Sequence, residues 1–175
     1  VSDALARLNK EIPMSQPESI RQQPTRSSRS DLVSVLKAQH EQIKKMFGNV
    51  LNAKGAAKAS YFIELKDLMS AHEAGEEAVV HPLASKTLVN GEVIVRERLH
   101  EESKAKRALA AIDHMDVDTP EFDDKLRALQ ADVLAHAEVE EREELDKLAA
   151  QVDPTELQRL LTDLESVEKS KLRQE

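Results

Sequence analysis

The sequence has no cysteine and no tryptophan, and its 175 residues include only three Phe, one Tyr and four Gly. Each scarcity excludes something. Without thiols there is no disulfide framework, zinc ribbon, thiolate-held iron–sulfur cluster or cysteine nucleophile, so any metal has to be held by histidine and carboxylate. With aromatics at 2%, strands and tight hairpins lack their preferred residues. No uninterrupted apolar run approaches the roughly 18 residues of a membrane span, and nothing reads as a secretory signal. The expectation is a cytoplasmic protein with no membrane partner. Positive charge is also short, with 25 Lys and Arg against 33 Asp and Glu, a net charge of −8 and a pI near 5.3. Phosphate binding needs a local excess of Lys and Arg, so a nucleic-acid partner is not expected.

What is present is Ala, Leu, Glu and Lys in quantity, which favours helix nearly everywhere. The length suits one domain of ordinary size with a real core. Residues 1–12 read as a short amphipathic helix (Val1, Leu5, Leu8 and Ile12 on one side) that Pro13 stops. From there to Ser30 the chain holds Pro13, Pro17, Pro24, Gln, Ser and Arg with almost nothing apolar. It cannot bury enough surface to offset its ordering entropy, so residues 1–30 are expected to be a short helix and a disordered arm. A bundle domain over 31–150 and an amphipathic C-terminal helix over 151–175 complete the organisation.

The bundle is read from apolar stripes at steps of three and four. Ser30 or Asp31 supplies the N-cap of a first helix carrying Leu32, Leu36, His40, Ile43, Phe47 and Val50. A second runs from about Gly55 to Val80 with Phe62, Leu65, Met69, His72, Glu76 and Val79, and the pair His81-Pro82 marks its end. Asn90-Gly91 makes a turn into a third, from about Glu92 to Ile112. Thr119-Pro120 opens a fourth with Leu126, Leu129, Val133, His136 and Glu140. Asp153-Pro154 opens a fifth, which covers the bundle or forms an oligomer contact. Long helices with short connections predict an all-α, up-down-up-down antiparallel four-helix bundle with an extra C-terminal helix.

Each bundle helix carries one histidine that its period can turn inward: His40, His72, His100 and His136. His100 shares its stripe with Glu97 and Lys104. The second and fourth helices add a carboxylate one turn on, His72-x3-Glu76 and His136-x3-Glu140. Four residues rotate about 400°, so the two side chains lie about 40° apart and about 6 Å along the axis. A single inward histidine is more often a hydrogen-bonded core residue, and an isolated His-x3-Glu is common. The joint pattern says more, because unpaired carboxylates at core positions are costly and a dinuclear cation satisfies both. Imidazole with carboxylate suits iron, manganese or zinc. Glu73 and His81 are further candidates, as additional ligands or as residues that hold ligands by hydrogen bonds. At about 100° from His72, Glu73 is near enough; His81, at about 180°, needs a helix break. Tyr61 lies about 16 Å along the axis from His72 and is read as core or access-channel residue. His114, in a polar loop, is read as exposed.

The ordered run Leu36-x3-His40-Glu41, His72-Glu73-Ala74-Gly75-Glu76-Glu77 leading into His81-Pro82, Leu99-His100-Glu101-Glu102, and His136-Ala137-Glu138-Val139-Glu140-Glu141 resembles the hemerythrin-like, or HHE cation-binding, domain over about residues 31–150. The resemblance implies a four-helix bundle holding two iron ions (Fe2+/Fe3+, oxo- or hydroxo-bridged), with His40, His72, Glu76, His100, His136 and Glu140 as ligands. Two departures stand out. Where hemerythrins have His-x3-His on the third helix this chain has His100-x3-Lys104, and the fourth helix has His-x3-Glu instead of His-x4-Asp. Fewer histidine donors leave more open positions, which favours reaction with peroxide, iron binding or sensing over reversible O2 carriage.

Two functions follow as expectations. The first is a di-iron protein that binds O2 or reacts with hydrogen peroxide, including catalase-like turnover. The second is an iron or redox sensor whose fold depends on metal and whose N-terminal arm or C-terminal helix meets a protein partner. A monomer or weak homodimer is expected in either case. A ferritin-like oxidase fits less well, since of its two Glu-x2-His pairs only Glu97-x2-His100 is present.

Overall fold

The computed structural model describes residues 31–174. The short helix and arm expected over residues 1–30 lie outside the described residues. The described chain is helical throughout: α1 (Leu32–Asn52), α2 (Gly55–Gly75), a π turn (Glu76–Val80), α3 (His81–Thr87), α4 (Gly91–Ile112), α5 (Pro120–Glu140), a second π turn (Glu141–Leu145), α6 (Asp146–Gln151) and α7 (Pro154–Leu172). The two π turns are continuous with the helices on either side, so α2–α3 and α5–α6 each form one long rod. With α1 and α4 these rods make the four-helix bundle, and α7 is the fifth helix.

Local chemistry sets the helix starts. Asp31 caps α1 through a reciprocal box: its side chain accepts from the Ser34 N–H and Ser34 Oγ accepts from the Asp31 N–H, both at 2.9 Å. Thr119 caps α5 by accepting from the Phe122 N–H at 3.3 Å, and Asp153 caps α7 by accepting from the Thr155 N–H at 2.8 Å. Each is followed by a proline whose missing N–H is no loss at a helix start. Between α3 and α4, Asn90 takes a left-handed φ of 60°. Gly91 lies so close to the Ala84 carbonyl that no side chain fits there.

The second rod does not stop at His81-Pro82 as the sequence predicts. The π turn before it places Pro82 in the first turn of α3, where a residue without an N–H is tolerated, so the helix re-forms and runs on to Thr87.

α1 packs on α2 and α5, α4 on α5 and α3, and α7 lies across α1 and α2. Two apolar clusters fill the interior. One gathers Leu36, Val80, Leu145, Leu148 and Leu164 around the rod ends and α7. The other gathers Ile43, Phe47, Phe62, Phe122 and Leu126 at the far end of the bundle, with Phe62 and Phe122 edge to face at 5.0 Å. The approach of α7 depends on Gly75, where a Cβ would lie 2.6 Å from Leu164 Cδ1 and 3.3 Å from Glu168 Cγ. Among the described residues, no helix is long and apolar enough to cross a membrane.

Candidate metal centre

A polar layer separates the two apolar clusters. On α1, His40 stands between Leu36 of one cluster and Ile43 of the other. On the α2–α3 rod, His72 and Glu76 follow Met69, and on the α5–α6 rod Glu140 precedes Leu145. His40, His72, Glu76, His81, Glu102, Glu140 and Glu144 are all buried, with Glu76, Glu140 and Glu144 fully so. His136 is half-buried.

The π turns decide which residues meet. In an unbroken α-helix His81 would stand about 180° from His72; a turn that holds one extra residue sets back everything after it by about 100° and brings His81 to about 80°. The same device follows Glu140. Glu144, otherwise about 80° from His136, is carried to within about 20° of it on the opposite side. Both rods thus send a second side chain into the layer after their His-x3-Glu pair.

Donor atoms then converge in three overlapping groups, each with all its atoms within 4.8 Å of one another. The first is His40, His72, Glu76 and Glu140; the second is Glu76, Glu102 and His136; the third is His81, Glu140 and Glu144. Glu76 belongs to two of them and Glu140 to two, the positions that bridging carboxylates occupy. His40 Nε2 lies 3.2 Å from Glu140 Oε2 and 3.8 Å from Glu76 Oε1, and His72 Nε2 lies 3.1 Å from Glu76 Oε1. The two rings meet edge to face at 4.8 Å.

The outer nitrogens are tied down. His40 Nδ1 is 2.9 Å from Glu141 Oε1, His72 Nδ1 2.8 Å from Gln39 Oε1, and His136 Nδ1 2.8 Å from Glu101 Oε2. Each acceptor fixes a proton on Nδ1 and leaves Nε2 facing the layer as a lone-pair donor, the arrangement that holds metal-binding imidazoles. The supports extend outward: Gln39 donates to Glu168 Oε1 of α7 at 2.9 Å, and Arg98 pairs with Glu101 at 2.9 Å.

Inside the layer the polar atoms are not satisfied by protein. His40 Nε2, both oxygens of Glu76 and Glu140, and Oε2 of Glu102 and Glu144 are buried and make no hydrogen bond. Buried polar groups are ordinarily paired, and a cluster of inward-facing acceptors of this kind fits cations. The chain's own charges are strained without one. Burial, added to repulsion from Glu76, pushes the Glu140 carboxyl up to about 7. Burial would raise Glu76 as well, but His72 and His40 outweigh it and hold its carboxyl well below the usual range. Burial opposes protonation of His40 and His81, yet the carboxylates beside them prevail and push each up to about 10.

Of the residues singled out in the sequence, the structure brings together His40, His72, Glu76, Glu140 and His136, with His81 beside them. It does not bring His100. That residue is exposed on α4, because two residues along a helix is about 200°, and it is Glu102 that faces inward. Glu73 is buried at the edge of the layer but belongs to none of the three groups. Burial raises its carboxyl to about 7 against the pull of Lys106, 3.5 Å away. Tyr61 is exposed at 37%, so it is not a core residue, and His114 is exposed. Sequence reading missed Glu102 and Glu144 as members of the layer. The signal for Glu102 is its phase: it lies in register with Arg98, Ala105 and Ile112, all buried.

A cavity of about 230 Å³ abuts His40, His72, Glu76, Glu102 and His136. Ile43, Met69, Ala105 and Val133 form its apolar wall, and Lys104 and Asp132, paired at 2.9 Å, stand at its outer side.

Comparison with known proteins agrees with this geometry. No curated protein matches the chain. The crystal structure of a hemerythrin HHE cation binding domain-containing protein from Mycobacterium kansasii superposes with a TM-score of 0.73 at 18% identity, covering 83% of this chain and 90% of that one. At that identity the likeness speaks for the fold. The family model described as the hemerythrin HHE cation binding domain matches residues 31–148, which span α1 to α6 and every residue of the polar layer. The chain belongs to the hemerythrin HHE cation-binding domain family.

Proposed function

We propose that this domain holds a pair of iron ions and uses them to bind O2 or to turn over hydrogen peroxide. The observation that carries the reading is the set of buried, unpaired donor atoms around one small cavity. His40 and His72 would hold one ion and His136 the other, with Glu76 and Glu140 shared between them. Iron supplies a redox couple and open coordination positions for a small oxygen ligand.

The chain's residues do the rest. Glu141, Gln39 and Glu101 keep the three imidazoles in the tautomer that points Nε2 inward. Ile43, Met69, Ala105 and Val133 give an apolar wall to a space with room for a molecule the size of O2 or peroxide. Peroxide turnover balances without any other reactant, since one H2O2 is reduced to water while a second is oxidised to O2. The test is metal analysis with a visible spectrum before and after peroxide addition, together with measurement of evolved O2. About two irons per chain and a spectrum that responds to peroxide or O2 support the reading. Protein that takes up no iron, or whose iron spectrum neither ligand alters, refutes it.

A second reading, iron or redox sensing, is favoured by one observation. The chain of contacts from His72 through Gln39 to Glu168 joins a ligand to α7, so a change at the ring alters what holds that helix. Under this reading iron removal increases proteolysis within 154–172; cleavage that is the same with and without iron rules it out.

A further inference from the structure

The sequence assigns the third helix's ligand to His100, and the structure withdraws it. The polar layer still receives one side chain from α4. Glu102 is 2% exposed, its Oε2 is buried and has no hydrogen bond, and it groups with Glu76 and His136. Its other oxygen is not free to wander. Glu102 Oε1 lies 2.7 Å from His81 Nε2, and His81 Nδ1 lies 3.2 Å from Glu144 Oε1. His81, delivered by the π turn and gripped from both sides, therefore fixes the orientation of the carboxylate and leaves Oε2 buried without a partner, in a side chain that offers an oxygen within 4.8 Å of the donors of His136 and Glu76.

Building on the two-ion reading above, we infer that Glu102 is a ligand of the second ion, in place of His100, and that His81 is its positioning residue. The two ion positions are then unlike. One has the imidazoles of His40 and His72 with the shared Glu76 and Glu140. The other has one imidazole, His136, with Glu102 and the same two carboxylates. Imidazole suits Fe2+ and Zn2+, whereas a carboxylate-rich position suits harder ions such as Mn2+. The second position is the harder of the two, so its preference for Zn2+ over Mn2+ is the smaller.

The experiment counts metal in the full chain after anaerobic Fe2+ loading, with circular dichroism to verify helix content. Wild type and His100→Ala bind about two ions per chain, and Glu102→Leu about one. Glu102→His, which returns an imidazole donor at the same place, keeps about two and shifts Mn2+/Zn2+ competition at that position further toward Zn2+. Mn2+ titration followed by electron paramagnetic resonance gives a second readout, with about two bound Mn2+ in wild type, a number that Glu102→Leu halves and His100→Ala preserves. For His81→Leu, the count stays at about two while Mn2+ affinity falls about 10- to 100-fold, the loss typical of an outer-shell partner. The inference is overturned if folded Glu102→Leu still binds two ions, or if His100→Ala loses one. Should Glu102→Leu fail to fold, Glu102→His and His100→Ala carry the test: unchanged Mn2+/Zn2+ selectivity in Glu102→His, or loss of an ion in His100→Ala, overturns it. Wild type that binds no metal refutes the two-ion reading itself, a result distinct from either.

Discussion

Glu140→Gln isolates the cost of keeping the polar layer charged. In the metal-free chain burial and Glu76 lift the Glu140 carboxyl from its ordinary 4.5 to about 7. The folded state therefore holds this proton more tightly than the unfolded chain over that interval, so stability declines as pH rises from about 4.5 and the penalty is complete above about 7. At about 1.4 kcal/mol per pH unit the full penalty is about 3 kcal/mol. Glutamine matches the protonated acid in shape and never ionises. After chelation of metal, Glu140→Gln should raise stability by about 3 kcal/mol at pH 8, roughly 10 °C in Tm for a domain of this size, and by less than about 1 kcal/mol at pH 5. With metal present the sign reverses, since Glu140 is shared by both ions and each retained at a hundred times its Kd adds about 2.7 kcal/mol, so a variant that holds neither forgoes about 5 kcal/mol against the gain of about 3. Paired thermal melts at pH 5 and pH 8, with chelator and with Fe2+, give the four numbers. A metal-free variant no more stable than wild type at pH 8, or one whose gain is the same at both pH values, would refute the reasoning.

Other perturbations reach different parts of the structure. Glu141→Gln weakens the acceptor at His40 Nδ1, and metal affinity by competition should fall about 10- to 100-fold with helix content unchanged. Because neutral imidazole is needed for ligation and the neighbouring carboxylates raise His40 to about 10 in the metal-free chain, protons compete with metal already at neutral pH; affinity should weaken steadily as pH falls from about 8, and an affinity that did not change down to about pH 4 in a dialysis series would exclude histidine ligands. Gly75→Ala puts a methyl group against Leu164 and Glu168. The overpacking should cost about 1–3 kcal/mol in urea unfolding despite the better helix propensity of alanine. Phe122→Ala opens the distant cluster, where the ring is fully buried, and should cost about 3–5 kcal/mol while leaving the metal count unaltered.

Most of the fold is legible in the sequence because the stripes are regular wherever the helices are. Leu32, Leu36, His40, Ile43, Phe47 and Val50 follow one α-helical line and are all buried on α1. The reading fails where the period changes. From His72 and Glu76 an α-helix would next bury positions 83 and 87, but the buried residues are Ala84 and Leu88. From His136 and Glu140 it would bury 147 and 151, and the buried residues are Leu148 and Val152. In both rods the apolar stripe slips by one place just after His-x3-Glu. That slip is visible in the sequence, but steps of three and four alone do not reveal it, and at the first slip the pair His81-Pro82 reads as a helix end. His100 fails for a simpler reason: motif order favours the histidine, whereas helical phase favours its neighbour two places on.

The two slips occur at equivalent places, and this bears on why the π turns persist. A π turn is a rare interruption of the α-helix and is frequent at functional sites. Here one begins at the buried carboxylate Glu76 and the other directly after Glu140, and each returns a further polar side chain, His81 or Glu144, to the same layer. Neither side chain helps the apolar clusters, and both add to the burden of buried charge. For stability alone, a straight rod would turn positions 81 and 144 elsewhere and leave the layer with fewer polar groups to bury. The irregularity makes sense if the groups it brings in are needed there: His81 and Glu144 meet each other at 3.2 Å and, through His81, grip Glu102 at 2.7 Å. The same distortion that hides His81 from a helical reading therefore supplies the support that a carboxylate ligand on α4 requires. Inserting one alanine after Ala78 in the first π turn should test this link. The added residue would advance the rest of the α2–α3 rod by about 100° relative to His72, at the expense of its buried stripe. It should turn residue 81 out of the layer and weaken binding of the second ion more than the first, as read by stepwise metal titration. Equal weakening of both would separate the π turn from Glu102.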